Sequence, residues 1–337
     1  MAKKVSMQDI ADHLNISKNS VSQALSGKPG VSPATRKKIE ETAKELGYQY
    51  KTMSVKTNNG GTGNIGLIAS DLAFSLQSFF GKIYLSVEKE ATNKGLNVLI
   101  QSVSNEAKEN LTLPSFIENK QVDGVLILSH ISTEYINKVI ATGIPTVTID
   151  HHHPLIQADA ILTNNRFAAY SAVKHLIDLG HKKIAFVGDT RFSPSYQERL
   201  EGYLLAFGEH ELSVDQQLIF SSVEESEVVV RDLVDSAGTQ PTAWFCVNDG
   251  LGFFVLSALQ QKGLRVPDDV SVCSFDNGQL SRLANPKITT VDIDLELYGR
   301  KAIEQLVWRM DNTDEPITEL LLPATLLKRE STSKVNK

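Results

Sequence analysis

Two sets of side chains in this 337-residue chain have types and spacing suited to recognition chemistry. Near the start, Lys18, Asn19, Ser20, Ser22 and Gln23 crowd one side of a short segment that carries no acid. Such hydrogen-bonding groups match the donors and acceptors of base edges. Further on, Asp150, Arg199, Asn248 and Asp276 close apolar runs or open helical ones. Carboxylates and an amide at strand ends can hold paired hydroxyls, and an arginine adds a rigid fork. The same residue types also cap helices and turns, so chemistry alone leaves both roles open.

The elements that must carry the first set are legible. Ile10, Ala11 and Leu14 repeat at helical spacing, Asn15-Ile16-Ser17 interrupts them, and Val21, Ala24 and Leu25 form a second stripe. Ser17 is placed to cap that second helix. A third helix is predicted over 33–46, with Ser32 as its cap, Pro33 in its first turn, Ile39, Ala43 and Leu46 facing inward, and Gly47 stopping it. Two short helices joined by a tight turn, the second rich in donors, describe a helix-turn-helix with its second helix in the DNA major groove. Charge supports this reading over a three-helix protein-binding module. Residues 1–60 hold ten Lys and Arg against five Asp and Glu, a net of +5; the whole chain is at −6, which leaves −11 for the rest. A basic head on an acidic body is what results when one end meets phosphate and the rest must not.

Length and composition bound the remainder. The chain is long enough for two or three compact units. Cys246 and Cys273 sit in apolar runs and read as buried thiols, which suits a reducing compartment. No apolar signal core opens the sequence and no run reaches membrane length, so a cytoplasmic protein is expected. Residues 51–64 are polar and glycine-rich and read as a linker. They lead into a literal G-x-G-x-x-G at Gly61, Gly63 and Gly66, but this follows linker and opens a strand, the reverse of the order a dinucleotide fingerprint requires.

From residue 65 short apolar strands alternate with amphipathic helices. Strands are predicted at 65–69, 98–103, 124–128, 146–149, 183–187, 243–247 and 270–275. Helices are predicted at 79–94, around 110–119, between 128 and 146, and at 165–179, 199–207, 252–262 and 298–309. This alternation implies parallel sheets covered on both faces. The expected organisation is an all-α headpiece at 1–49, a hinge at 50–64, an α/β two-lobed body at 65–330 with crossings near 160 and 290, and a tail at 331–337. The cleft then lies at the carboxyl ends of the strands. The run His151-His152-His153 reads as a solvated loop rather than a metal site, since neighbours in extended chain point to alternate sides; His151 is placed at the pocket rim. No Walker A, HExxH or nucleophile-elbow motif is present. Neither an enzyme nor a cofactor is expected.

The first fifty residues resemble the headpiece of the LacI/GalR (lac repressor) family. The markers are Asp9-Ile10-Ala11, Val21-Ser22, Leu25-Ser26-Gly27-Lys28, Val31-Ser32, Thr35-Arg36 and Glu45-Leu46-Gly47-Tyr48. The resemblance implies base-edge contacts at Lys18, Asn19 and Gln23 and backbone contacts among Ser17, Ser22, Ser26 and Thr35; Ser20 and Lys28 are the remaining residues expected at the DNA. Gln23 stands where the family usually has arginine; glutamine pairs with adenine where arginine prefers guanine. The body is similar to the same family and to periplasmic sugar-binding proteins, through Asn64-Ile65-Gly66-Leu67-Ile68, Val122-Asp123-Gly124, Arg199-Leu200-Glu201-Gly202-Tyr203, Asn248-Asp249, Val266-Pro267-Asp268-Asp269-Val270 and Ser274-Phe275-Asp276. It implies effector contacts at Asp71, Phe79, Asp150, Arg199, Asn248 and Asp276. The loop after Asp71 is longer than the family's, so ligand identity does not carry over.

Family members use the linker as a hinge helix that wedges a leucine into the minor groove. That position falls on Thr57 here, so Met53 or Val55 would have to replace the wedge, or the DNA is bent less. Together these features imply a repressor that binds a near-palindromic operator as a homodimer and is controlled by a sugar or sugar derivative in the cleft. A purine or other corepressor is the alternative ligand. A dehydrogenase-like enzyme and a constitutive architectural DNA-binding protein are the rival classes.

Overall fold

The structure, a computed structural model, describes residues 5–25, 30–46, 48, 61–71, 73, 79–128, 131–237 and 241–335. The chain forms two compact units: Met1–Gly63 with the turn Thr92–Leu96, and Asn64–Ala91 with Asn97–Lys337.

In the first unit, polar caps set the helix ends. Ser6 opens α1 (Met7–Leu14): its Oγ accepts from Asp9 N at 3.3 Å, and Asp9 Oδ2 accepts from Ser6 N at 2.7 Å. Asn15 ends α1 at φ 52°, a left-handed conformation that asparagine tolerates. Ser17 Oγ accepts from Ser20 N at 3.0 Å where α2 (Lys18–Leu25) begins. Ser32 does the same for Thr35 N at 3.2 Å at the start of α3 (Pro33–Glu45), with Pro33 in the first turn. Ile10, Ala11, Val21, Ala24, Ile39 and Ala43 meet in a buried core, and Met7, Leu14, Ile16, Leu25, Val31, Leu46 and Tyr48 pack around it. Arg36 Nη1 donates to the carbonyls of Ala24 and Gln23, which ties α3 to the last turn of α2.

The second unit has two lobes. In lobe 1 the chain runs through β1 (Asn64–Ser70), α4 (Phe80–Asn93), β2 (Asn97–Val103), α5 (Asn105–Glu109), α6 (Ser115–Glu118), β3 (Gly124–Leu128), α7 (Thr133–Ile140), β4 (Thr146–Ile149) and β5 (Asp159–Thr163). After α8 (Asn165–Asp178), lobe 2 adds β6 (Ile184–Val187), α9 (Pro194–Glu209), β7 (Ile219–Phe220), α10 (Glu227–Ala237), β8 (Ala243–Cys246), α11 (Asp249–Gln261), β9 (Ser271–Asp276), α12 (Gln279–Leu283) and β10 (Thr289–Ile293). Next, α13 (Leu295–Asp311) leads back to β11 (Glu319–Leu322) in lobe 1, and β12 (Ala324–Leu327) lies in lobe 2. Among the described residues the sheet orders are β11-β5-β4-β3-β1-β2 and β12-β10-β9-β8-β6-β7. All pairs are parallel except β10 with β12. Burial on both faces explains why strands such as Gly124–Leu128 are apolar throughout.

Each lobe lends a helix to the other. The α8 that follows lobe-1 strand β5 packs on β10 and β12 of lobe 2, and the α13 that follows lobe-2 strand β10 packs on β3, β4 and β5 of lobe 1. The chain thus passes between lobes after β5, after β10 and again at Pro323, a third passage beyond the two read from the sequence. The helix expected around 110–119 is instead two short ones. Leu111 has φ 51° and Pro114 lies between them, and neither conformation continues a helix. The helices expected at 199–207 and 298–309 start earlier, at caps Ser193 and Asp294. Strands β5, β7, β10, β11 and β12 and helices α10 and α12 were not anticipated. Cys246 and Cys273 are buried and free. Among the described residues no helix is long and apolar enough to cross a membrane.

Gly202 lets α9 lie directly on α8. A Cβ there would sit 2.1 Å from Arg166 O and 2.9 Å from both Ala169 Cβ and Tyr170 N. Two of those atoms are backbone and cannot turn away, so Gly202→Ala must separate the helices. It is expected to cost about 1–3 kcal/mol, read as a lower midpoint in thermal unfolding.

Candidate functional site

In the headpiece, α2 buries Val21 and Ala24 and leaves the other side outward: Ser17, Lys18 and Asn19 are exposed, and Ser20, Ser22 and Gln23 half-buried. Thr35 is half-buried, with its hydroxyl 2.7 Å from Ser32 Oγ. Ser26, Lys28 and the hinge positions Met53, Val55 and Thr57 lie outside the described residues.

The other set gathers in the second unit at the carboxyl ends of the strands. Asp150 follows β4 at φ 55° and is buried; its Oδ1 accepts from Ser195 Oγ of lobe 2 at 2.9 Å. Burial pushes its pKa up to about 6, although Arg199 and the Ser195 bond pull it down. Arg199, on α9, is 2 % exposed. Its Nε donates to Asn165 Oδ1 at 3.0 Å, Nη1 donates to Val247 O, and the guanidinium lies 3.7 Å from the centre of the Phe275 ring. Asp276 ends β9 at φ 99°, with Oδ1 3.2 Å from Arg199 Nη1. That contact pairs the charges without forming a hydrogen bond, so among the described residues the buried oxygen has no hydrogen-bond donor. Burial raises Asp276 to about 7; Arg199 opposes this, while Asp249, Asp150 and Glu225 reinforce it.

Asn248 is committed within the protein. Its Oδ1 accepts from Leu251 N at 2.8 Å, capping α11, and Nδ2 donates to Tyr196 OH at 2.8 Å and Glu225 Oε2 at 2.6 Å. It orients the tyrosine and glutamate beside it. Asp71, after β1, is exposed, and Phe79 sets its ring edge-on to Phe80 at 4.9 Å. The structure brings Asp150, Asn248 and Asp276, at strand ends, together with Arg199, inside α9. A cavity of about 720 Å³, within the range of small-molecule sites, is lined by Asp276, Asn277 and Asp292 together with Lys82, Lys89 and Arg300.

The histidine run is a loop with His153 exposed, but His151 and His152 are half-buried in it. His152 Nε2 lies 3.0 Å from Glu198 Oε1 and its Nδ1 lies 3.1 Å from Glu319 Oε1. His153 Nδ1 accepts from Leu155 N at 3.2 Å. His151 Nε2 is buried with no hydrogen-bond partner among the described residues, and burial first, then its two histidine neighbours, lowers its pKa to about 4. The sequence reading missed this because the partners come from α9 and β11, remote in the chain. It also missed Ser195 and Tyr196, though they stand one helical turn before Arg199 and could have been found by counting back along that face. Asp249 was passed over as well. It is buried and accepts from the hydroxyls of Ser274, Ser281 and Thr290 and from Gly278 N, tying α11, α12, β9 and β10 behind the cleft.

A three-helix unit with a donor-rich second helix, preceding a two-lobed α/β body with a polar cleft, defines a ligand-responsive DNA-binding regulator. Comparison with known proteins places it more closely. Residues 6–50 match the family model for bacterial regulatory proteins of the lacI family, and residues 173–332 match the periplasmic binding protein-like domain. The chain is 30 % identical to the ribose operon repressor of Haemophilus influenzae over 96 % of its own length and 98 % of that protein. It is similar in structure to the transcriptional regulator CelR in complex with cellobiose (TM-score 0.73, 27 % identity, 97 % of this chain and 99 % of that one). It is likewise similar to a LacI family regulator from Enterococcus faecium with bound ribose (TM-score 0.69, 25 % identity, 81 % and 100 %). The chain belongs to the lacI family of bacterial regulatory proteins. It is a DNA-binding transcriptional regulator of the repressor kind and not an enzyme.

Proposed function

We propose that this repressor binds a near-palindromic operator as a homodimer and that a sugar or sugar derivative, bound between the lobes, sets its operator affinity. On DNA the outward face of α2 reads base edges, with Lys18, Asn19 and Gln23 on the bases and Ser17, Ser20, Ser22, Ser26, Lys28 and Thr35 at the backbone. Asp71, Phe79, Asp150, Arg199 and Asp276 contact the effector, while Asn248 holds Tyr196 and Glu225 in place. One observation carries the effector reading. Among the described residues, two buried side-chain polar atoms lack a hydrogen-bond partner: His151 Nε2 on lobe 1 and Asp276 Oδ1 on lobe 2. Both lie at the carboxyl ends of strands, β4 and β9, where ligand hydroxyls would satisfy them. Leu85 on α4, Ile100 on β2, and Leu280 and Leu283 on α12 are exposed and supply apolar surface for a second copy to cover. Acting on DNA, the protein works in the cytoplasm.

The test is selection of random duplexes by the full-length protein near physiological salt, where non-specific phosphate binding is weak. An inverted repeat is expected, and no enrichment would refute sequence-specific dimeric binding. Gln23→Ala should then cost about 1–3 kcal/mol and relax preference at one symmetric base pair; uniform weakening across sequences would remove Gln23 from base reading. In parallel, ribose, cellobiose and free purine bases are screened for a rise in the unfolding temperature. A rise with a sugar supports the reading, and a rise with purines alone replaces it by the corepressor alternative.

A further inference from the structure

The His152 bridge joins the lobes at the rim of the cleft. His152 lies two residues beyond Asp150 on lobe 1, Glu198 immediately precedes Arg199 on lobe 2, and Glu319 belongs to β11 of lobe 1. The His152 side chain is 28 % exposed, and those of Glu198 and Glu319 are 18 % and 53 % exposed. A carboxylate oxygen faces each ring nitrogen, and only the doubly protonated ring donates to both. The network continues inward: Glu198 Oε2 accepts from Asn165 Nδ2 at 2.9 Å, and Asn165 Oδ1 accepts from Arg199 Nε at 3.0 Å. Glu319, His152, Glu198, Asn165 and Arg199 therefore form one line of hydrogen bonds that crosses from lobe to lobe and ends on the cleft arginine.

We propose that His152 and Glu198 are an interlobe latch, which holds the lobes together and positions Arg199 for the ligand while the imidazole carries its charge. The positioning role rests on the cleft being the effector site; the latch itself does not. The charged and titratable groups around His152 are Asp150, His151 and His153 on its own loop, Glu198 from α9 and Glu319 from β11, with Arg166 of α8 acting on Glu198. The Glu198 bond raises His152 to about 9 against the opposing effect of burial, with Glu319 adding to the rise. Its folded value thus lies above its ordinary 6.5. The latch is complete below that ordinary value, still charged at neutral pH, and lost as pH rises through about 9.

Nitroxide labels at Glu134→Cys on lobe 1 and Asp232→Cys on lobe 2, both exposed, measure lobe separation in the full-length ligand-free protein; the native thiols Cys246 and Cys273 are buried. At pH 7 one short distance is expected. At pH 10, or at pH 7 in His152→Gln or Glu198→Gln, the open-to-closed ratio should rise about ten-fold, as for a lost charge-assisted hydrogen bond. His152→Gln should also remove the pH dependence between 7 and 10. Glu319→Gln, which cuts only the bond inside lobe 1, should have the smaller effect and controls for a folding defect. Unchanged separation in both bridge variants, or a pH response that persists in His152→Gln, would overturn the latch. A protein that answers no sugar but opens with pH as stated would overturn the effector reading and leave the latch standing.

Discussion

Arg199→Ala is expected to abolish the response to ligand, with at least a ~100-fold loss of affinity, while binding of DNA persists. It should also lower the unfolding temperature by roughly 5–10 °C, because removing one partner of a buried ion pair strands the other. Arg199 is the main influence keeping Asp150 and Asp276 ionised against burial, which already holds them at about 6 and about 7. Without the guanidinium both carboxyls take up protons more readily. An acid whose folded pKa is raised is favoured while protonated and penalised as pH climbs through that value. The variant should accordingly lie nearer the parent in stability at pH 5 than at pH 8. Arg199→Lys retains the charge but loses the fork that reaches Asn165, Val247 and Asp276 together, so it should restore stability better than ligand response. Calorimetric titration with a sugar found in the screen, beside thermal melts at the two pH values, checks both. An unchanged ligand response in Arg199→Ala would remove it from the site.

The second large effect is expected where α13 returns to lobe 1. Arg309 donates from Nε to Asp159 Oδ2 at 2.8 Å and from Nη2 to Asp159 Oδ1 at 2.7 Å, and it also donates to the carbonyls of Asn312, Glu315 and Pro316. Gln305 Nε2 and Thr318 N donate to the same carboxylate at 2.8 Å. The two side chains are 9 % and 0 % exposed. Burial would raise Asp159, but the bonds from Arg309, Gln305 and Thr318 outweigh it and hold the carboxyl below its ordinary value. Its stabilisation is therefore present above that ordinary value and lost as pH falls through the lowered one. Asp159→Leu or Arg309→Met alone should cost about 3–5 kcal/mol, each leaving an uncompensated buried charge. The double variant Asp159→Leu with Arg309→Met should recover part of that loss, since a buried pair adds little net stability over apolar packing. Denaturant unfolding of the three variants completes the cycle, and strict additivity would refute coupling.

These sites differ in how far the chain itself announces them. The headpiece was readable because its signals are local: the stripes of Ile10, Ala11, Val21, Ala24, Ile39 and Ala43 and the caps Ser17 and Ser32 act within a few residues. The alternation of apolar strands with amphipathic helices was readable for the same reason, and Asp150, Asn248 and Asp276 could be named because strand ends in such a sheet open on a cleft. The weaker strands β5 and β11 were not, since Asp159 and Glu319 sit where an apolar residue would mark a strand, each held there by partners distant in the chain. The division of labour inside the cleft was equally out of reach. Asn248 supports neighbours rather than facing outward, His152 is a charged bridge rather than a solvated loop residue, and Asp249 ties four elements together behind the site. In each case the meaning of a polar side chain depends on which donors or charges the fold delivers within about 3 Å, and spacing along a chain carries no information about contacts with other elements many residues away.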